Sequence, residues 1–178
     1  MRVTVVVNHH SSITSMITVE HVQSATADAR LLIGELDAEL SGEYEPEQQH
    51  GLSVDRIFQP HVKFFIARLD GEAVGCGGVA FTNADGNGDG FAEVKRMYVR
   101  PAARGRDVAR TILCRLEDEA RARGVGRLVL ETGDVRHAAM RLYERNGFTR
   151  CAAFGDYATM PPRAIERSVF FEKLIDLK

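Results

Sequence analysis

Residues 104–109, with the sequence Arg-Gly-Arg-Asp-Val-Ala, form a short basic segment between an apolar stretch and an amphipathic one. A glycine-bearing turn at the start of a helix exposes backbone N–H groups, and these groups and the helix dipole attract anions. Arg104 and Arg106 add charge-assisted donors. The alternative is an ordinary connection with solvated arginines. The segment therefore predicts a phosphate-binding turn but does not establish it.

A second segment with candidate chemistry lies downstream and carries Ala139, Leu142-Tyr143-Glu144 and Gly147-Phe148. Tyr143 falls on the inward face of its predicted helix. A buried tyrosine usually packs and forms a hydrogen bond, so this segment by itself favours a structural role.

The elements that position both segments follow from hydrophobic spacing. Strands are predicted over residues 17–22, 62–69, 73–81, 91–99, 128–131 and 169–174, and Val3–Val7 has the composition of a further short strand. Helices are predicted over residues 26–40, 52–58, 107–123 and 136–146. Asp70-Gly71 is a hairpin turn signal, and residues 83–90 form a polar loop. This order predicts an α+β domain with helices packed on a mostly antiparallel sheet. We assign residues 1–16 to an N-terminal extension and residues 17–178 to one domain.

Together the two segments resemble the GNAT superfamily of acyl-CoA-dependent N-acyltransferases. The matching residues run through Ala92–Pro101, Arg104–Ala109 and Leu142–Phe148, within a resemblance that covers about residues 60–175. The resemblance implies a mixed, mostly antiparallel central sheet of about seven strands, splayed in the middle and flanked by about four helices. It also implies transfer of an acetyl group from acetyl-CoA to a primary amine of a small molecule or peptide, by direct attack in a ternary complex.

The resemblance implies roles for individual residues. Tyr143 corresponds to the family's general acid for the departing thiolate, and Glu93 to a general base for the amine. For Glu93 the alternative is a strand glutamate that is either solvated or in a salt bridge, for example with Lys95 or Arg96. The cofactor-binding positions are Met97, Tyr98, Val99, Arg104, Gly105, Arg106, Asp107, Val108, Ala109 and Arg136. The acceptor-binding candidates are Glu43, Tyr44, His50 and Tyr157, and acidic side chains in that region would favour a cationic amine.

Asp107 departs from the family pattern, which usually has glycine at this position. An aspartate brings a negative charge beside a negative ligand, and it is also a good N-cap residue. We hypothesise that Asp107 weakens CoA binding relative to glycine. This departure supports a rival interpretation, a non-catalytic acyl-CoA-binding or sensor domain with the same fold.

Composition limits the partners and the location of the chain. The net charge of −2 over 178 residues argues against nucleic-acid binding. No apolar run approaches the roughly 20 residues that cross a bilayer, so we expect no membrane partner. The three cysteines are isolated, so we expect free thiols, no metal and a cytoplasmic location. Because GNAT members are often dimers, the resemblance also allows a homodimer.

Overall fold

The computed structural model describes residues 2–8, 14–82 and 90–177. These residues form one eight-stranded sheet in the order β1-β2-β3-β4-β5-β6-β8-β7. The strands are β1 (Arg2–Asn8), β2 (Thr14–Val22), β3 (Val62–Leu69), β4 (Glu72–Phe81), β5 (Ala92–Val99), β6 (Arg127–Gly133), β7 (Thr149–Arg150) and β8 (Ser168–Leu174). Neighbouring strands are antiparallel except for the parallel pair β5 and β6. The predicted α+β class and mostly antiparallel sheet are confirmed, with one strand more than the predicted seven.

Four α-helices in the described residues flank this sheet. They are α1 (Ala27–Ser41), α2 (Val108–Ala122), α3 (His137–Arg145) and α4 (Pro162–Ile165). Thr26 caps α1, because its hydroxyl accepts a hydrogen bond from the Ala29 N–H at 3.2 Å. The predicted hairpin between β3 and β4 is also confirmed. Asp70 and Gly71 both adopt positive φ, as a type I′ turn requires.

The core is divided between the two faces of the sheet. On one face, α1 packs through Leu32 and Ile33 against strand residues that include Phe64 and Tyr98. On the other face, α2 and α3 pack on a larger cluster that contains Ile112 and several strand residues. A third, smaller cluster contains Val129, Phe154, Tyr157 and Phe170. The helices therefore cover both faces of the sheet.

The sheet opens at its centre because β5 and β6 pair only over a short length. Their register runs from Ala92 opposite Leu128 to Val94 opposite Leu130, and the rest of β5 has no partner in β6. A bulge lies beside this opening, since Cys76 pairs with Tyr98 while Gly78 pairs with Lys95. Two residues of β5 thus oppose one residue of β4, and Arg96 takes a left-handed φ of 56°. The predicted splay is confirmed.

Several details differ from the sequence predictions. The helix predicted over residues 52–58 is only a single 3₁₀ turn, Arg56–Phe58. Strand β1 pairs with β2, so part of the segment assigned to an extension lies in the sheet, while the domain boundary itself stays a prediction. The predicted loop over residues 83–90 falls almost wholly outside the described residues. Within the described ranges, no helix is long and apolar enough to cross a membrane.

Candidate active site

A cavity occupies the opening between β5 and β6. Val94, Lys95, Arg96 and Met97 line it from β5, and Glu131 to Gly133 line it from β6. Its remaining walls come from α1 and the loop after it, from α3 and its N-cap, and from the segment before β8. These wall residues are Leu36, Leu40, Tyr44, Gln48, Gln49, His50, Gly51, Arg136, Ala139, Tyr143 and Arg167. The cavity thus joins both faces of the sheet through the gap that the missing strand pairing leaves.

Tyr143 on α3 contributes the candidate acid. Its ring is buried and packs near Phe148 and Phe171, with centroids 5.9 Å and 6.1 Å away. Burial, followed by the nearby charge of Glu131, raises the pKa of Tyr143 to about 12. Its hydroxyl has no hydrogen-bond partner among the described residues and is therefore free to donate into the cavity. At neutral pH the group is protonated, as a general acid must be.

Glu131 on β6 is a carboxylate that the sequence analysis did not select. It lines the cavity and accepts a hydrogen bond from the Ser168 hydroxyl at 2.7 Å. Burial raises the pKa of this carboxyl and the charge of Glu93 adds to the rise, whereas Ser168, His50 and Lys95 oppose it. A carboxylate whose pKa is raised toward neutrality is a better proton acceptor than an exposed one.

Glu93, Lys95 and Tyr157 form a buried polar cluster beside the cavity. The Lys95 ammonium lies 2.7 Å from Glu93 Oε1 and donates to the Tyr157 hydroxyl at 2.7 Å. Tyr157 in turn donates to Glu93 at 3.0 Å, and burial followed by the Glu93 charge raises the pKa of Tyr157. Lys95 lines the cavity and Glu93 does not. Glu93 is therefore ion-paired, as the alternative interpretation expected, and its role as a base stays a prediction.

The predicted phosphate turn has the backbone of a glycine-rich loop but only one glycine. Gly105 has a φ of 75°, and Asp107 stands at the N-cap of α2 with a left-handed φ of 59°. The Asp107 carboxylate makes no capping hydrogen bond, so it does not turn back onto the N–H groups of α2. The αL conformation is one that glycine adopts at no steric cost.

The arginines of the turn are engaged with other parts of the chain. Arg104 donates to the Val99 carbonyl at 2.9 Å and to Glu39 on α1 at 2.9 Å. Glu39 also lies 2.6 Å from Arg136, the N-cap residue of α3. Arg106 donates to the Ser15 hydroxyl at 2.9 Å. A second cleft runs from the turn along α3 and is lined by Asp107, Arg110, Ala138, Arg141, Leu142, Arg145 and Asn146.

The structure brings only some of the predicted site residues to the cavity. Those that line it are Tyr44, His50, Met97, Arg136 and Tyr143. The side chains of Tyr98 and Val99 are buried in the core, and Glu43 pairs with Arg136 at 3.1 Å outside the lining. The acidic side chains of the loop after α1 therefore do not line the cavity, and the acceptor-binding roles stay predictions.

The sequence contains a weak signal for the residues that were missed. Glu131 ends the buried segment predicted as a strand at residues 128–131, and the carboxyl ends of neighbouring parallel strands share one sheet edge. The sequence carries no comparable signal for Lys95, Arg96 and Arg167. The positions of the first two depend on the bulge in β5, and the position of Arg167 depends on the loop before β8. Within residues 2–8, 14–82 and 90–177, no group of three His, Cys, Asp or Glu residues is arranged to hold a metal. The three cysteines are free.

Comparison with known proteins finds a matching family and similar sequences and structures. A sequence model described as the acetyltransferase (GNAT) family matches residues 32–148. The chain is 42% identical over 142 residues to an "IAA acetyltransferase" of Azospirillum brasilense, covering 80% of this chain and 87% of that protein. It is 34% identical over 130 residues to the uncharacterized N-acetyltransferase YsnE of Bacillus subtilis, covering 72% of this chain and 80% of YsnE. A crystal structure from Klebsiella pneumoniae, described as an acyl-CoA N-acyltransferase, superposes with a TM-score of 0.69 at 33% identity, covering 90% of this chain and 98% of that one.

Proposed function

Because the chain belongs to the acetyltransferase (GNAT) family, we propose that it transfers the acetyl group of acetyl-CoA to a primary amine in a ternary complex. The observation that carries this proposal is the cavity at the splayed strands. It places a protonated tyrosine, Tyr143, and a carboxylate of raised pKa, Glu131, in the lining of one cavity. A protonated acid and an ionised carboxylate in one cavity suit a reaction that supplies one proton and removes another.

The proposed reaction is a direct attack on the thioester. The nitrogen of the neutral amine forms a bond to the acetyl carbonyl carbon and, as it does so, gives one proton to Glu131. The C–S bond breaks, and the departing thiolate receives the proton of Tyr143. Glu131 then releases its proton and Tyr143 regains one, which returns both groups to their starting states. Holding both substrates in the opening removes most of the entropic cost of their encounter. Glu93, the base proposed from the family resemblance, is the second candidate, and with Lys95 and Tyr157 it is positioned to influence the charge on Glu131.

The cofactor arm would lie along the free edge of β5. Beyond Val94 this edge has no partner in β6, so backbone groups of residues 97–99 are available to an extended ligand. The start of α2 and the turn at residues 104–109 would receive the pyrophosphate, since a helix N-terminus attracts anions. Arg110, Arg141 and Arg145 in the adjacent cleft add positive charge beside the turn.

The acceptor would enter from the side formed by α1 and the loop after it. Tyr44 and His50 line this part of the cavity. The Tyr157 ring packs against His50 in a T-shaped contact, with the ring centroids 5.3 Å apart. Glu43 is proposed to act indirectly through its ion pair with Arg136. The name of the A. brasilense relative makes IAA one compound to include among the acceptors tested.

The test measures CoA release from acetyl-CoA with a panel of amines, and in parallel measures acetyl-CoA binding by calorimetry. Turnover with at least one amine, accompanied by a mass increase of one acetyl group on that amine, supports the proposal. Binding of acetyl-CoA without turnover on any acceptor would instead favour the sensor interpretation. Absence of both binding and turnover would contradict both.

A further inference from the structure

The charged residues that line the cavity are mostly basic. Four of them carry positive charge, and one, Glu131, carries negative charge; the four are Lys95, Arg96, Arg136 and Arg167. Each of these cations is paired with a carboxylate of the chain, so a negative group of a ligand would be recognised by a donor that remains free rather than by an unbalanced charge.

Two of the four cations have their donor groups fully engaged. Lys95 is held by Glu93, Tyr157 and the His50 carbonyl. Arg167 is paired with Asp134 through two nitrogens, and its third donates to the Glu43 carbonyl at 2.7 Å. Arg136 is paired with carboxylates of α1 and the loop that follows through Nη1 alone, and its side chain is 19% exposed.

Arg96 is the most deeply buried of the four cations, and it keeps a donor group free. Its side chain is 7% exposed, Nε donates to the Leu52 carbonyl at 2.6 Å, and Nη1 is paired with Asp37 of α1. Nη2 has no hydrogen-bond partner in the described part of the chain. Arg96 Nη2 is also accessible to solvent. Among the described residues, the one side-chain nitrogen or oxygen that is both inaccessible and without a hydrogen-bond partner is Arg115 Nε. Because Arg96 lines the cavity, Nη2 is available to a ligand there.

The fold places this guanidinium in the lining of the same cavity as Glu131 and Tyr143. The bulge in β5 puts consecutive residues Lys95 and Arg96 on the same face of the sheet, opposite α2, where each contacts elements of that face. Gly51 lies against the guanidinium, and a Cβ there would stand 2.7 Å from Arg96 Cζ. The absence of a side chain at residue 51 is therefore what allows Arg96 to occupy this position.

We infer that the acceptor is an amine that also carries a carboxylate, such as an amino acid, with its carboxylate on Arg96 and its amine toward Glu131. This inference rests on the proposed acetyl transfer and specifies its acceptor class. A desolvated guanidinium with a free N–H pair forms a strong charge-assisted hydrogen bond to a carboxylate. A single free nitrogen suits a singly charged carboxylate better than a phosphate, which usually takes several donors.

The first experiment compares matched acceptors with the wild-type protein. Leucine, phenylalanine and glutamate are each assayed against the corresponding α-amide, and β-alanine is assayed against phosphoethanolamine. We expect kcat/KM for at least one acid to exceed that of its amide by about 10- to 100-fold, the effect of one hydrogen bond to a charged group. Faster turnover of the amides, or of phosphoethanolamine over β-alanine, overturns the inference and leaves acetyl transfer standing.

The second experiment assigns the preference to Arg96. Arg96→Lys keeps the charge but loses the planar donor pair, so the acid-to-amide ratio should fall to within about threefold. Arg68→Lys is the matched control, because Arg68 pairs with Glu20 and Asp28 away from the cavity and should keep the wild-type ratio. An unchanged ratio in folded Arg96→Lys overturns the role of Arg96. Thermal unfolding establishes that each variant is folded.

A binding measurement separates this inference from the proposed function. Calorimetry on the protein saturated with CoA compares an N-acetylamino acid with its N-acetylamino amide. Tighter binding of the acid by tenfold or more supports the anion site even where no acceptor is turned over. Equal affinity for the two compounds overturns it, whatever the outcome of the activity assay.

Discussion

Glu131 on β6 accepts a hydrogen bond from the hydroxyl of Ser168 on β8 at 2.7 Å, although the two residues are 37 positions apart in the chain. Glu131 pairs with Phe170 and Ser168 pairs with Gly133, so the two side chains are diagonal neighbours on one face of the sheet. The Ser168 hydroxyl fixes the orientation of the Glu131 carboxylate beside the opening between β5 and β6. Four predictions follow from this geometry and its surroundings.

Glu131→Gln should lower kcat by about 10²- to 10⁴-fold, because it removes the proposed base and preserves the size and the hydrogen bond of the side chain. Glu93→Gln should cost less, since Glu93 lies outside the lining of the cavity. Steady-state CoA release measures both. Glu172→Gln is the matched control, as Glu172 lies on β8 and pairs with Arg127. A larger loss for Glu93→Gln than for Glu131→Gln would restore Glu93 as the base.

The same Glu131→Gln substitution should stabilise the protein in a pH-dependent way. Burial raises the pKa of Glu131 above its ordinary 4.5, so the folded state holds this proton more tightly than the unfolded state. The contribution of Glu131 to stability is therefore full below about pH 4.5 and is lost as pH rises through the folded pKa. We expect the variant to gain about 1 kcal/mol, or about 2–4 °C in Tm, at pH 8 and to match the wild type near pH 4. Scanning calorimetry at both values is the measurement, and an equal gain at both would show that the charge is not responsible.

Tyr143→Phe should lower kcat by about 10²-fold or more with little change in the affinity for acetyl-CoA, since only the proton donor is lost. Its hydroxyl has no partner within the described ranges, so the unfolding temperature should stay within about 2 °C of the wild type. The pH profile gives a second check. With the pKa of Tyr143 at about 12, wild-type activity should not decline from loss of this proton below about pH 10. Undiminished turnover in the variant would assign Tyr143 to packing alone.

Asp107→Gly should tighten acetyl-CoA binding by about tenfold, which corresponds to about 1.4 kcal/mol. The cause is the negative charge beside the proposed pyrophosphate site, whereas the left-handed φ of 59° is already present in the free protein and affects its folding stability. Asp107→Asn tests the charge by itself, because asparagine removes it but tolerates the same backbone. Calorimetric titration of acetyl-CoA into the three proteins measures the effect. Binding by the wild type that equals or exceeds that of both variants would contradict the prediction.

Local sequence patterns determined most of the elements of this fold. The four-residue apolar spacing of α2, the Thr26 cap of α1 and the Asp70-Gly71 turn each act within a few residues, so they could be read directly from the chain. The segments that carry Tyr143 and the basic turn were likewise recognisable, because strand, turn and helix follow one another in sequence.

The arrangement of the site was decided by tertiary structure. Which carboxylate faces the cavity depends on where β5 leaves β6, and the direction of Arg96 depends on a bulge that shifts the register of β5 against β4. A shift of one residue in strand register moves a side chain to the other face of the sheet, and no local pattern records it. Patterns along the chain were therefore sufficient to identify the family and most elements of the fold. The roles proposed for Glu131, Glu93 and Arg96 follow from pairings between strands that are distant in the chain.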